Sequence, residues 1–213
     1  MNLLREALDY IQADPERFLD ALYDHVRLSA LALLFAVLIF VPLGVFASRN
    51  RKVGPTIVGL VGAARVLPSL VIIFLLYPLI GLGDRPALIA LTLLAGPPLN
   101  VNTDAGLRNV DVAVVESARG LGMTALQVFG RVQLPLALPV MIAGLRTASV
   151  EVIASATLAA FIGAGGLGKF ILSGVTLVDW RLLLVGAVPV TMLALFAEAL
   201  LGGLERLVSP PGA

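Results

Sequence analysis

The sequence contains no cysteine, which removes disulfides, thiol nucleophiles and thiolate metal sites together. Its single histidine, His25, stands ahead of the first long apolar run. A lone imidazole there is expected in solvent or at a membrane boundary, not in a metal or acid–base site. Charge is scarce: 14% of the 213 residues are Asp, Glu, Lys or Arg, and the formal net charge is +1. No global field then points to nucleic acid or an acidic substrate. Aromatic residues make up 6%, with no aromatic cluster apparent of the kind that holds a quaternary amine on ring faces. Ser-His, paired-aspartate and HExxH combinations are missing, so no catalytic, metal or cofactor set is expected. The chain does not open on a short apolar stretch with a small-residue cleavage site, so no removable signal peptide is expected.

What remains is apolar. The chain is 59% hydrophobic with a mean hydropathy of +0.99, against about 45–50% apolar in soluble domains. Crossing about 30 Å of hydrocarbon takes about 20 residues of helix, and the pattern predicts an all-α polytopic membrane domain over 26–205 with five spans. These are Val26–Ala47, Thr56–Ile80, Ala87–Val101, Leu136–Ile162 and Leu182–Leu204. Arg65 and Pro68 interrupt the second, and Gly96-Pro97-Pro98 should bend or break the third. The basic loop Arg49-Asn50-Arg51-Lys52 reads as cytoplasmic. Alternation then puts the N-terminus outside and the C-terminus inside a cytoplasmic membrane. Residues 1–25 read as an amphipathic interfacial segment, with Leu4, Leu8 and Ile11 on one stripe and Asp14-Pro15 opening a second helix. Phe18, Leu22 and Val26 continue the stripe, and 206–213 form a C-terminal tail. No internal repeat is visible, unlike repeat-built secondary transporters.

The polar stretch from about 103 to 134 reads as two short helices, Val112–Leu121 and Thr124–Val132, joined near Gly122, with Leu134-Pro135 closing the second. Physically this is either a docking element for a partner's groove or an amphipathic cover over helix ends. The run Gly163-Ala164-Gly165-Gly166-Leu167-Gly168 lacks the Lys-Ser or Lys-Thr of a phosphate loop, being followed by Lys169-Phe170. It reads as a tight re-entrant or gate-lining turn. Arg65, Arg146 and Glu151 fall inside spans, where an ionised group must be paired or wetted. Glu151 lies about 7.5 Å beyond Arg146 and about 140° around the helix, so those two do not face each other. Pairing of Arg65 or Arg146 with Glu151 from another span or from a partner subunit is expected, either lining a wet path or only fixing helix packing. Glu198, near the inner end of the fifth span, is assigned no role.

Glu116-Ser117-Ala118, three residues, Gly122, nine residues and Val132-Gln133-Leu134-Pro135 together resemble the "EAA" loop of ABC importer permeases. That loop reads Glu-Ala-Ala, three residues, Gly, nine residues, Ile-x-Leu-Pro; Ser117 and Val132 depart from it. Leu67-Pro68-Ser69-Leu70, Gly81-Leu82-Gly83, Arg108-Asn109-Val110-Asp111, Leu134–Pro139 and Phe161–Gly168 are similar to the osmoprotectant branch of these permeases. The resemblance covers most of 20–205. It implies a type I importer permease fold and import of glycine betaine, carnitine or choline, with sister branches for methionine, phosphonate or sulfonate as the alternative. An ATP-independent transporter or channel is the more distant one. It also implies that Glu116, Ala118 and Gly122 belong to coupling helices seated in a separate ATPase subunit. Further implied partners are a second permease copy or paralogue, an extracytoplasmic binding protein and membrane lipid, with no enzyme activity in this chain.

Overall fold

Apolar length sets the architecture. In the computed structural model, which describes residues 3–209, the chain is helical nearly throughout, and no strand occurs among the described residues. Residues 1–2 and 210–213, the extremes of the expected N-terminal segment and C-terminal tail, lie outside the described residues. The helices are α1 Leu3–Ala13, α2 Pro15–Arg49, α3 Gly54–Ala63, α4 Ser69–Ile80, α5 Asp84–Arg108, α6 Val112–Gly120, α7 Ala125–Val128, α8 Leu134–Ser155, α9 Gly168–Leu177 and α10 Trp180–Val208. A π turn, Phe129–Gln133, joins α7 to α8, and a 3-10 segment, Ala156–Ile162, extends α8.

Among the described residues, three stretches are long and apolar enough to cross a membrane: Pro15–Arg49, Ala125–Ile162 and Trp180–Val208. The expected straight span Thr56–Ile80 is instead two helices meeting at 93°, a fourth crossing if the bent pair counts as one. Pro68 is the cause. It holds Leu67 extended, at φ −79° and ψ 121°, because the residue before a proline is excluded from helical geometry. A 3-10 turn, Ala64–Val66, which carries Arg65, fills the corner.

Of the bend or break expected at Gly96-Pro97-Pro98, the break does not occur: α5 remains helical across it. Each proline removes one intrahelical donor, but burial holds the backbone in place. Gly96, Pro97 and Pro98 are all buried, and the Phe40 ring of α2 lies against Gly96. α5 is the middle of the bundle. Ala87, Ala90, Leu91, Ala95 and Leu99 share one core with Ala32, Ala36 and Phe40 of α2 and with Ala148 and Val152 of α8. Such close approach needs small residues, since between membrane helices packing replaces the hydrophobic drive. A Cβ on Gly44 would stand 2.7 Å from Thr103 Cβ, and one on Gly144 2.6 Å from Asn102 Cβ.

The N-terminal segment divides at Asp14, whose carboxylate accepts from Arg17 N–H at 3.2 Å and caps α2. From Pro15 the helix continues without a break past residue 25 into the first long apolar run. The stripe of α1 splits as well: Ala7, Tyr10 and Ile11 pack with Leu167, Phe170, Leu182 and Val185, whereas Leu4 and Leu8 are exposed.

Candidate functional site

Three groups of sequence-predicted residues fall at three places: a helical loop at one end of the bundle, charge pairs along its length, and a glycine turn at the opposite end. The loop starts where α5 stops. Arg108 donates to both carboxylate oxygens of Asp104 at 2.8 and 2.9 Å and to the Ala47 carbonyl at 2.7 Å, tying the last turns of α2 and α5 together. Asp111 then caps α6, accepting from Ala113 N–H at 2.8 Å. Val115 and Ala118 turn inward, into a small core with Leu107, Val110, Val128 and Ala137. Glu116 and Ser117 face outward, and the Ser117 hydroxyl donates to the Ala113 carbonyl.

Gly122 has φ +82° with open space around it, so glycine is required there by backbone conformation and not by crowding. Two residues on, Thr124 and Gln127 form a reciprocal capping box at the start of α7. The expected stop at Leu134-Pro135 is absent. Helix continues through it as one 38-residue stretch, Ala125–Ile162. The π turn is the reason: Leu134 N–H bonds back to Phe129 O. That wider turn gives the Pro135 ring room where a regular helix would clash with the carbonyl one turn earlier.

Val112, Leu121 and Leu126 leave an exposed apolar ridge on the loop, Leu121 being 85% exposed. Beside it opens a cleft of about 660 Å³ lined by Arg49, Arg51 and Arg119 with Phe129. The Arg49 guanidinium sits 4.1 Å from the Phe129 ring centre.

Along the bundle, Arg65 and Glu151 are brought together, Nη2 to Oε1 at 3.5 Å, with side chains 51% and 37% exposed. Arg146 turns the other way. It meets Glu198 at 3.2 Å and Glu205 at 2.9 Å, strapping α8 to α10. Glu198, to which the sequence reading gives no role, is therefore half of an ion pair. Its seven-residue spacing from Glu205, two helical turns along one face, was the available signal.

At the opposite end the glycine run makes a compact turn between the 3-10 segment and α9. Gly163 and Gly166 have φ of +75° and +106°. A Cβ on Gly165 would run into Asp24, and one on Gly168 into the Thr157 carbonyl. Gly165 N–H donates to Asp84 at 3.3 Å, Asp84 also pairs with Arg27, and Gly83 N–H bonds Ile162 O at 2.9 Å.

Here two further expectations are corrected. His25 is buried, its Nε2 donating to the Ile153 carbonyl at 3.1 Å, because α2 turns it into the junction with α8 and Gly166. An aromatic group does form, from residues far apart in sequence: Tyr10 and Phe18 lie 6.2 and 6.4 Å from Phe170. Its cation is internal, since Arg17 stands 5.7 Å from the Phe170 ring. No cluster of three His, Asp or Glu suited to a metal occurs among the described residues.

Residues 40–210 match the family described as binding-protein-dependent transport system inner membrane component. The choline transport system permease protein OpuBB of Bacillus subtilis is 40% identical over 98% of this chain and 96% of its own length. The carnitine transport permease protein OpuCB of Listeria monocytogenes is 41% identical over 94% and 92%. The osmoprotectant import permease protein OsmW of Salmonella typhimurium is 36% identical over 89% and 91%. Among solved structures, a chain of the MetNI methionine ABC transporter superposes with a TM-score of 0.81 at 19% identity, covering 91% of this chain and 97% of that one. At that identity the likeness is one of fold.

Proposed function

The chain belongs to the family of binding-protein-dependent transport system inner membrane components, and from that membership we infer that it is the permease of an ATP-driven importer for choline, glycine betaine or carnitine. The observation that carries the substrate class is that identity to choline and carnitine permeases runs through nearly the whole chain, not the loop alone. Five passes fit this role: α2, the bent α3–α4 pair, α5, the stretch from α7 through the 3-10 segment, and α10. α5 counts although it is too polar to stand in lipid, because neighbours cover Asn100 and Thr103. The basic 49–52 loop sets the N-terminus outside and the C-terminus inside.

On that orientation α6 and α7 lie in the cytoplasm as coupling helices. Gly122 supplies the turn between them. Ala118 anchors α6, Glu116 faces the ATPase, and Leu134 and Pro135 carry motion onward into α8. Two permeases, copies or paralogues, enclose the pore, two ATPase subunits dock on the loops, and a binding protein delivers substrate from outside. The turn at Gly163, Gly165, Gly166 and Gly168 closes the outer end. The Arg146 cluster is structural, and the Arg65–Glu151 pair lies on the path.

The test is uptake of radiolabelled choline, glycine betaine and carnitine by cells that lack other routes for them and carry the whole transporter. We expect energy-dependent accumulation of at least one compound. Glu116→Lys should abolish it and stop co-purification of the ATPase while membrane abundance is unchanged. Accumulation of none would overturn the substrate class; accumulation indifferent to Glu116 would remove the loop from coupling.

A further inference from the structure

The Arg65–Glu151 pair differs from the other ion pairs along the bundle. At 3.5 Å it is longer than Arg146–Glu205 at 2.9 Å or Arg108–Asp104 at 2.8 Å, and longer than the roughly 2.7–2.9 Å of a charge-assisted hydrogen bond. Neither partner makes another side-chain hydrogen bond among the described residues. Arg65 is exposed and Glu151 partly so although both lie within membrane-crossing segments, where lipid does not tolerate ionised groups and such residues face a wet cavity or another subunit. The surface around them is shaped for a small guest. Val66 and Leu67, beside Arg65, are exposed apolar side chains. One turn either side of Glu151, α8 presents Thr147, Ala154 and Ser155, none of them bulky.

We propose that Arg65 and Glu151 form a transient binding site, on the permease itself, for a zwitterion carrying a quaternary ammonium and a carboxylate. This rests on the substrate class inferred above. The charge arithmetic favours it. A neutral ion pair that opens to take a neutral zwitterion becomes two ion pairs: guanidinium to substrate carboxylate, and Glu151 carboxylate to substrate ammonium. Neither charge is left unpaired in the closed or the loaded site, and an unpaired charge is the costly outcome within a membrane-spanning segment. The ammonium methyl groups meet the apolar flank of Val66 and Leu67. A substrate with an ammonium and no carboxylate engages Glu151 but leaves Arg65 without its partner, so the site discriminates between two kinds of quaternary amine independently of the binding protein. The loose resting geometry suits a pair that must open on every transport cycle.

The experiment compares maximal uptake rates of glycine betaine, carnitine and choline in cells carrying the complete transporter, with membrane abundance measured for each variant. The readout is the ratio of zwitterion to choline uptake, which a change in folding or assembly leaves untouched. Arg65→Gln should lower that ratio about ten-fold, the size of one lost hydrogen bond to a charged group. Arg65→Lys, which keeps the charge, should restore most of it, and Glu151→Gln should depress all three substrates. A ratio unchanged by Arg65→Gln, with uptake falling in parallel, overturns the site and leaves the importer reading intact. So does a wild-type transporter that takes choline alone. A wild type that takes none of the three overturns the substrate class itself.

Discussion

At the scale of single residues, glycine separates into positions set by space and positions set by backbone conformation. Gly168 is of the first kind: a methyl group there meets the Thr157 carbonyl, a backbone atom that cannot move aside. Gly130, inside the π turn, has nothing within 4 Å of a Cβ. We therefore expect Gly168→Ala to destabilise the protein by about 1–3 kcal/mol, the usual cost of overpacking, and to lower its thermal midpoint in detergent. Gly130→Ala should be neutral or slightly stabilising, because alanine loses less backbone freedom than glycine. Equal effects of the two would mean that the outer turn is looser than its contacts indicate. Other residue-level features were invisible in the chain itself. Nothing adjacent to His25 announces that Gly166 and Ile153, more than a hundred positions away, will enclose it. Arg17 reaches Phe170 in the same way.

At the scale of helices, the ends were where the sequence was most readable. Asp14-Pro15, Asp111 and Thr124 are capping residues by chemistry, and each caps the helix that follows. The interiors misled. Two consecutive prolines imply a break only if the backbone is free to give way, and packing on both sides of α5 denies it that freedom. Leu134-Pro135 reads as a stop because sequence periodicity cannot register a π turn, which spends one extra residue to accommodate the ring. At Pro68 the same chemistry does bend the chain, since Arg65–Pro68 is exposed rather than enclosed by packed helices. The caps give an element-scale prediction. Asp111→Ala removes the acceptor for Ala113 N–H and should cost about 1 kcal/mol of helix stability, typical of an N-cap. Hydrogen exchange of purified transporter should rise in Val112–Gly120 and not in α10; uniform protection would show that ATPase contacts, not the cap, hold α6.

For the molecule as a whole, five passes are inferred where three helical stretches among the described residues, or four with the bent pair, are long and apolar enough to cross; the fifth is α5, a helix solvated by other helices. The absence of cysteine makes this testable. Single cysteines introduced at Lys52, Gly120 and Val178 should react with an impermeant maleimide from the cytoplasmic, cytoplasmic and external sides respectively. Labelling of position 120 and position 178 from the same side would reduce the number of crossings to an arrangement incompatible with the proposed topology. The unbroken stretch from Ala125 to Ile162 has a mechanical consequence. A continuous helix is a lever: load applied at one end, less what the π turn at Phe129–Gln133 absorbs, reappears as displacement at the other. From Ala125 to Glu151 is about 39 Å along the axis, so tilting the rod by about 5° sweeps Glu151 sideways by about 3 Å. That travel is comparable to its whole separation from Arg65. A small push by the motor would then be enough to open a distant electrical contact.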